Sequence, residues 1–251
     1  MEDVLVAGVH PPESQGLSQI ERVVDTFVAP SETFTDILRS TSWWLPFLLI
    51  LIVSAASAFA IDKKIGFDRV AEQAVQQNSR AADQMAQLTP DQRVTQMNIA
   101  TVFTKYFTYG AGVLFLIMAA VVALVNWMSL NLGLGAKTTF AQNFAVFLYA
   151  YLPHFFIGVL NIIMVYAGVN TENFDINNPV GTNLGYYLTD SAQWVKTALS
   201  FFDIFGLWTL ALLVIGAAII SRKSKGQAAI IVVGWWLVAL LVTAGVTAAR
   251  G

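Results

Sequence analysis

The chain has 251 residues, 56% of them hydrophobic and 12% charged, with a net charge of −2 and no cysteine. Soluble domains carry about 25% charged residues, so this composition, with a mean hydropathy of +0.62, excludes a domain that faces water on all sides. The one basic run, at Arg222, Lys223 and Lys225, is too short for a nucleic-acid surface, and the lack of Cys removes disulfides and thiolate chemistry together.

Residues 1–18, rich in Gly, Pro, Ser and acids, read as a flexible tail. The acids that follow Met1 are not expected in a cleavable signal, whose leading region is basic. Residues 19–42 form an amphipathic N-terminal segment. Ile20, Val23, Val24, Phe27 and Val28 recur at helical spacing, with Glu21, Arg22, Asp25 and Thr26 between them. Pro30 and Glu32 suit the first turn of a second short helix whose stripe is Phe34, Ile37 and Leu38. Such a pair either packs on the membrane domain and lies along its interface, or forms an arm for a protein partner.

Residues 43–247 read as an all-α polytopic bundle with five crossings. Trp43 and Trp44 are interfacial anchors for the first, at about 44–61, where Ser54 to Ala58 offer a small-residue face to another helix. The polar excursion 62–105 is expected to be a water-exposed helical hairpin. In its second arm Thr89, Pro90 and Gln92 have capping-box spacing. The second crossing, 109–130, is YGAGVLFLIMAAVVALVNWMSL, without a formal charge; at about 1.5 Å per residue it traverses a hydrocarbon core of roughly 30 Å. The third, 144–166, holds Pro153 in its interior and should kink there. Thr189 or Asp190 is placed to start a short helix containing Trp194 and Phe202, and Asp203 to cap the fourth crossing. The fourth and fifth, 204–220 and 228–247, are joined by SRKSKGQ and should be antiparallel neighbours. Three basic residues in that seven-residue link, against one in 167–203, put the N-terminus in the cytoplasm, with Lys63 and Lys64 as contrary residues.

The leader RVVDTFVAPSETFTDILRSTSWWLPFLL (22–49), the five-crossing layout, the polar excursion after the first crossing and the Tyr-Ala-Tyr-Leu-Pro run from Tyr149 through Leu152 to Pro153 resemble the bacterial branch of the Yip (Ypt-interacting protein) domain family. The resemblance implies an integral, all-helical protein with a cytoplasmic N-terminus, multi-pass in the cell membrane and, for this branch, in the bacterial inner membrane. It supplies no catalytic residues. Eukaryotic members are linked to small GTPases and vesicle traffic, which the resemblance does not carry to this branch.

The search for chemistry is negative. His10 and His154 are isolated, no phosphate-cradling Gly motif and no Gly-x-Ser-x-Gly occurs, and no catalytic, metal or cofactor residue is proposed. Asn126, His154 and Asn161 form the candidate intramembrane polar site, since each is costly facing lipid unpaired. They serve either as hydrogen bonds between helices or as the lining of a polar route beside the Pro153 kink. Two functions follow. One is a non-enzymatic scaffold or adaptor affecting membrane organisation, whose partners are membrane lipids, a protein at the N-terminal segment, and further copies of the chain. The other is a small transporter or channel-like permease subunit.

Overall fold

The computed structural model describes residues 16–169, 174–188 and 191–250, apart from the Arg250 side chain. The expected tail up to residue 15, with His10, and the expected helix start at Thr189 or Asp190 lie outside the described residues. Among those described the fold is all-α; extended backbone pairs in one isolated bridge, Asn183 with Asp203. Five helical stretches are long and apolar enough to cross a membrane: Trp44–Lys64, Pro90–Gly133, Phe140–Tyr166, Ile204–Ser221 and Lys225–Ala249.

Reciprocal capping boxes start four helices: Ser18 with Glu21 before α1 (Gln19–Val28), Thr89 with Gln92 before α6 (Pro90–Met128), Thr139 with Gln142 before α7 (Phe140–Ala150), and Ser224 with Gln227 before α11 (Lys225–Arg250). Each satisfies two backbone donors that a helix start leaves unpaired. Between α1 and α6 lie α2 (Pro30–Asp36), α3 (Trp44–Lys64), α4 (Phe67–Gln76) and α5 (Ser79–Ala86). Helix α6 runs unbroken from the polar excursion into the membrane over 39 residues, about 58 Å. Its outer part is fastened to α3 by Lys105 on Asp62 at 3.1 Å and by the Tyr109 hydroxyl donating to the same carboxylate at 3.1 Å. Past Met128 it loosens into a π-turn, Ser129–Gly133. The Asn131 amide closes the link that follows, donating to the Thr138 carbonyl and accepting from the Thr138 N–H, both at 2.9 Å.

The third crossing is two helices. Between α7 and α8 (His154–Tyr166) the backbone N–H groups of Leu152, His154 and Phe155 donate three residues back, to the carbonyls of Tyr149, Tyr151 and Leu152. Pro153 has no N–H to offer the carbonyl of Tyr149, and the tighter turn takes up the loss. Helix α9 (Gln193–Ser200) precedes α10 (Ile204–Ser221), whose first turn is capped by the Asp203 carboxylate accepting from the N–H groups of Phe205 and Gly206. At the other end of α10 Arg222 adopts a left-handed φ of 55°, and the N–H groups of Lys223 and Arg222 return to the carbonyls of Ala218 and Ile219, a Schellman closure. It turns the chain into α11 (Lys225–Arg250), and Ala217, Ala218, Ala228 and Val232 are buried together at the seam.

The N-terminal helices depart from the sequence pattern. That pattern gave Ile20, Val23, Val24, Phe27 and Val28 one apolar face. In the fold Arg22 and Thr26 are fully buried, whereas Ile20, Val24 and Val28 are 71%, 52% and 73% exposed. Val23 and Phe27 do pack inward, and Phe34 and Ile37 of α2 are buried against Val146, Tyr149 and Ala150 of α7 and Leu212 and Ile220 of α10. The arrangement has a chemical cause: the inward polar groups of α1 are paired, Arg22 by Asp36 and by the turn beyond α2, and Thr26 by the Arg22 carbonyl on α1 itself.

Candidate intramembrane polar site

The break in the third crossing sets the position of His154. As the first residue of α8 its ring lies parallel to that of Tyr151, with centroids 3.9 Å apart and planes 7° from each other. Its Nδ1 is 3.0 Å from the Thr209 hydroxyl on α10. Two turns further along α8, the Asn161 amide donates to the Ser57 hydroxyl on α3 at 2.5 Å. Small residues allow that approach: a Cβ added at Gly158 would meet Val53 of α3 at 2.9 Å. Asn126 lies near the end of α6. The Oδ1 atoms of Asn126 and Asn161 are buried without a hydrogen-bond partner.

The three residues do not form one cluster. His154 ties α8 to α10 and Asn161 ties α8 to α3, so each serves a different helix pair. Of the two expected anchors, Trp43 packs edge-on against Phe144 at 5.2 Å and Phe47 at 6.0 Å, while Trp44 is exposed.

Sequence reasoning passed over a denser polar group at the base of the N-terminal hairpin. The Arg22 Nε donates to Asp36 Oδ2 at 2.6 Å, and its Nη1 donates to the Ser40 carbonyl at 2.8 Å. The hydroxyls of Thr26 and Thr33 both donate to the Arg22 carbonyl, at 2.7 and 2.9 Å. On the facing helix the Tyr149 hydroxyl reaches Gln19 Oε1 at 3.1 Å. Arg39 completes the group from the exposed side, its Nε 2.8 Å from Asp36 Oδ1. Burial works to raise the Asp36 carboxyl, but hydrogen bonds from Arg39 and Arg22 and their charges outweigh it, holding the group below its ordinary 3.8. The available signal was Arg22 and Thr26 one helical turn apart on the same side of α1.

A second polar knot closes the outer mouth of α10, where the Thr182 hydroxyl donates to Asp203 and the side chains of Asn178 and Asn183 bond each other. No group of three or more His, Asp or Glu among the described residues is placed to hold a metal ion. Of the open grooves, one of about 560 Å³ lies between α4, α5 and α6, lined by Asp68, Glu72, Met85, Arg93 and Met97. It belongs to the polar excursion and not to the bundle around His154.

The model of one protein family, described as the Yip1 domain, matches residues 24–246. No curated protein and no solved structure matches the chain.

Proposed function

This chain belongs to the Yip1 domain family, and on that footing we propose that it is a non-enzymatic membrane scaffold or adaptor of the bacterial inner membrane. It is a multi-pass membrane protein whose long apolar helices associate with lipid. The observation that carries the scaffold reading is the use made of His154 and Asn161: each polar group is engaged by a neighbouring helix, Thr209 in one case and Ser57 in the other. Groups spent on helix pairing in this way fix the packing of the bundle. On this reading a protein partner is met at the N-terminal segment, residues 19–42. Assembly with further copies belongs to the same proposal.

The permease alternative draws on the unpaired Oδ1 atoms of Asn126 and Asn161 and on the broken third crossing, and the two separate cleanly. His154→Ala and Asn161→Ala are each expected to lower stability in detergent by about 1 kcal/mol, and liposomes holding the intact protein should pass neither protons nor potassium above the protein-free rate. Saturable flux that both substitutions abolish, with the melting temperature unchanged, would replace the scaffold with the permease.

We also propose that residues 16–42 belong to the cytoplasmic side of the membrane, together with the links 129–139 and 221–227, with 62–105 outside. The support is Lys137, Arg222, Lys223 and Lys225 on the two links. Cysteine is absent from the chain, so single replacements report without background. A Cys at Ser224 should resist an impermeant thiol reagent in intact cells, and one at Ser79 should react. The opposite pattern inverts the topology.

A further inference from the structure

We propose that α1 and α2 form a re-entrant hairpin immersed in one leaflet, and that the outward face of α1 is a contact surface for lipid acyl chains. Four observations carry this.

The first is depth. The Phe27 ring packs edge-on against Trp208 at 5.6 Å and Phe156 at 5.5 Å. Trp208 lies thirteen residues from the Ser221 end of α10, about 20 Å along its axis. Phe34, on the returning helix, lies instead beside Gly216 near that end. The hairpin therefore enters from the side of the 129–139 and 221–227 links, runs alongside the crossing helices, turns at Ala29 and Pro30, and comes back.

The second is polarity. Helix α1 buries Arg22 and Thr26 and presents Ile20, Val24 and Val28 outward, at positions i, i+4 and i+8 on one line of the helix. A helix bathed in water has the reverse arrangement; apolar out and paired polar in is the arrangement for lipid.

The third is backbone. Hydrocarbon offers nothing to an open donor. At the tip the Ala29 N–H bonds the Asp25 carbonyl and the Glu32 N–H bonds the Ala29 carbonyl, and Pro30 has no N–H at all, which leaves the N–H of the exposed Ser31 as the donor that has to be met from the polar edge of the hairpin.

The fourth is charge. The Arg22 donors are taken up by Asp36 and by the carbonyls of Ser40 and Ser42, the form in which a cation is tolerated at membrane depth. The remaining polar side chains form one edge, with Glu21 exposed and Asp25 half-exposed on α1 and Ser31, Glu32 and Thr35 exposed on α2, and that edge is the side from which headgroups and water must reach the hairpin.

Acyl chains fit the stripe better than a second copy does, because the line from Ile20 to Val28 runs beside the crossing helices and shares their depth. The absence of Cys allows a direct test. The variants I20C, V24C and V28C, each carrying a nitroxide, are reconstituted in liposomes, and collision with oxygen and with a water-soluble nickel chelate is measured. All three side chains point away from the protein, so the melting temperature should not move. The expected result is that oxygen dominates at 24 and 28, with depth rising by about 12 Å from 20 to 28. Preference for nickel at 24 and 28, or equal depth at all three, overturns the re-entrant hairpin. Low collision with both reagents at 24, with spin–spin broadening that vanishes on dilution with unlabelled protein, assigns the face to a second copy and overturns the lipid contact. None of these results depends on solute flux, so the scaffold reading stands or falls apart from them.

Discussion

Asp36→Ala is expected to destabilise the protein by about 3–5 kcal/mol, the scale for removing one partner of a buried ion pair. The Arg22 side chain is 1% exposed and its shortest contacts are to this carboxylate, so the substitution leaves a guanidinium sealed against the bundle with carbonyls alone. Arg39→Ala removes the outer cation, which is 54% exposed, and should cost only about 0–1 kcal/mol. The pair also fixes a pH dependence. Because the folded carboxyl sits below its ordinary 3.8, its contribution is complete above the unfolded value and is lost as pH falls through the lower, folded one. Unfolding midpoints in mixed micelles at neutral and acidic pH would show it: the wild type should weaken on acidification, and Asp36→Asn should lack that component. Equal midpoints for wild type and Asp36→Ala at neutral pH would mean that the pair does not hold the hairpin.

Gly216→Val should be the most damaging of the single glycine changes within α10, at about 1–3 kcal/mol for an overpacked site. A Cβ at this position would lie 2.5 Å from Val146 Cγ1 and 3.1 Å from the Phe34 ring, so either α7 moves or α2 leaves its seat. Gly234→Ala is the control, since its added carbon meets nothing within 4 Å and a helix interior favours Ala by up to about 1 kcal/mol. Limited trypsin digestion distinguishes a shifted helix from a released hairpin, because cleavage after the buried Arg22 requires release. A Gly216→Val protein that melts like wild type and keeps Arg22 protected would rule out the seating of α2 described above.

Local chemistry was the part legible in the sequence. Thr89 and Gln92 form their capping box, Asp203 caps α10, and the chain breaks its helix at Pro153, because each depends on residues within four positions of one another. The uncharged stretches announced five crossings for the same reason. The N-terminal helices are legible as amphipathic, but an amphipathic pattern fixes which side is apolar and not which solvent that side meets. What decides it is Asp36, fourteen residues from Arg22, together with the seat that Val146 and Gly216 provide from far along the chain. Asn126, His154 and Asn161 were recognisable as polar groups in apolar helices, but their separate partners Thr209 and Ser57 lie 55 and 104 residues away from His154 and Asn161, beyond any local signal.

Helix α6 has a mechanical consequence. From Pro90 to Tyr109 it contains no glycine and no proline after its first residue, and the same rod continues into the second crossing without a hinge. Arg93, which donates to the carbonyls of Met85, Ala86 and Leu88, clasps the end of α5 to its outer end. Asp62, gripped by Lys105 and Tyr109, acts as a bearing where the rod passes α3. The polar excursion and the second crossing therefore share one helix, so a displacement of α5 against α6 is read at the same rod whose Ala119 and Ala123 are fully buried among α3 and α7.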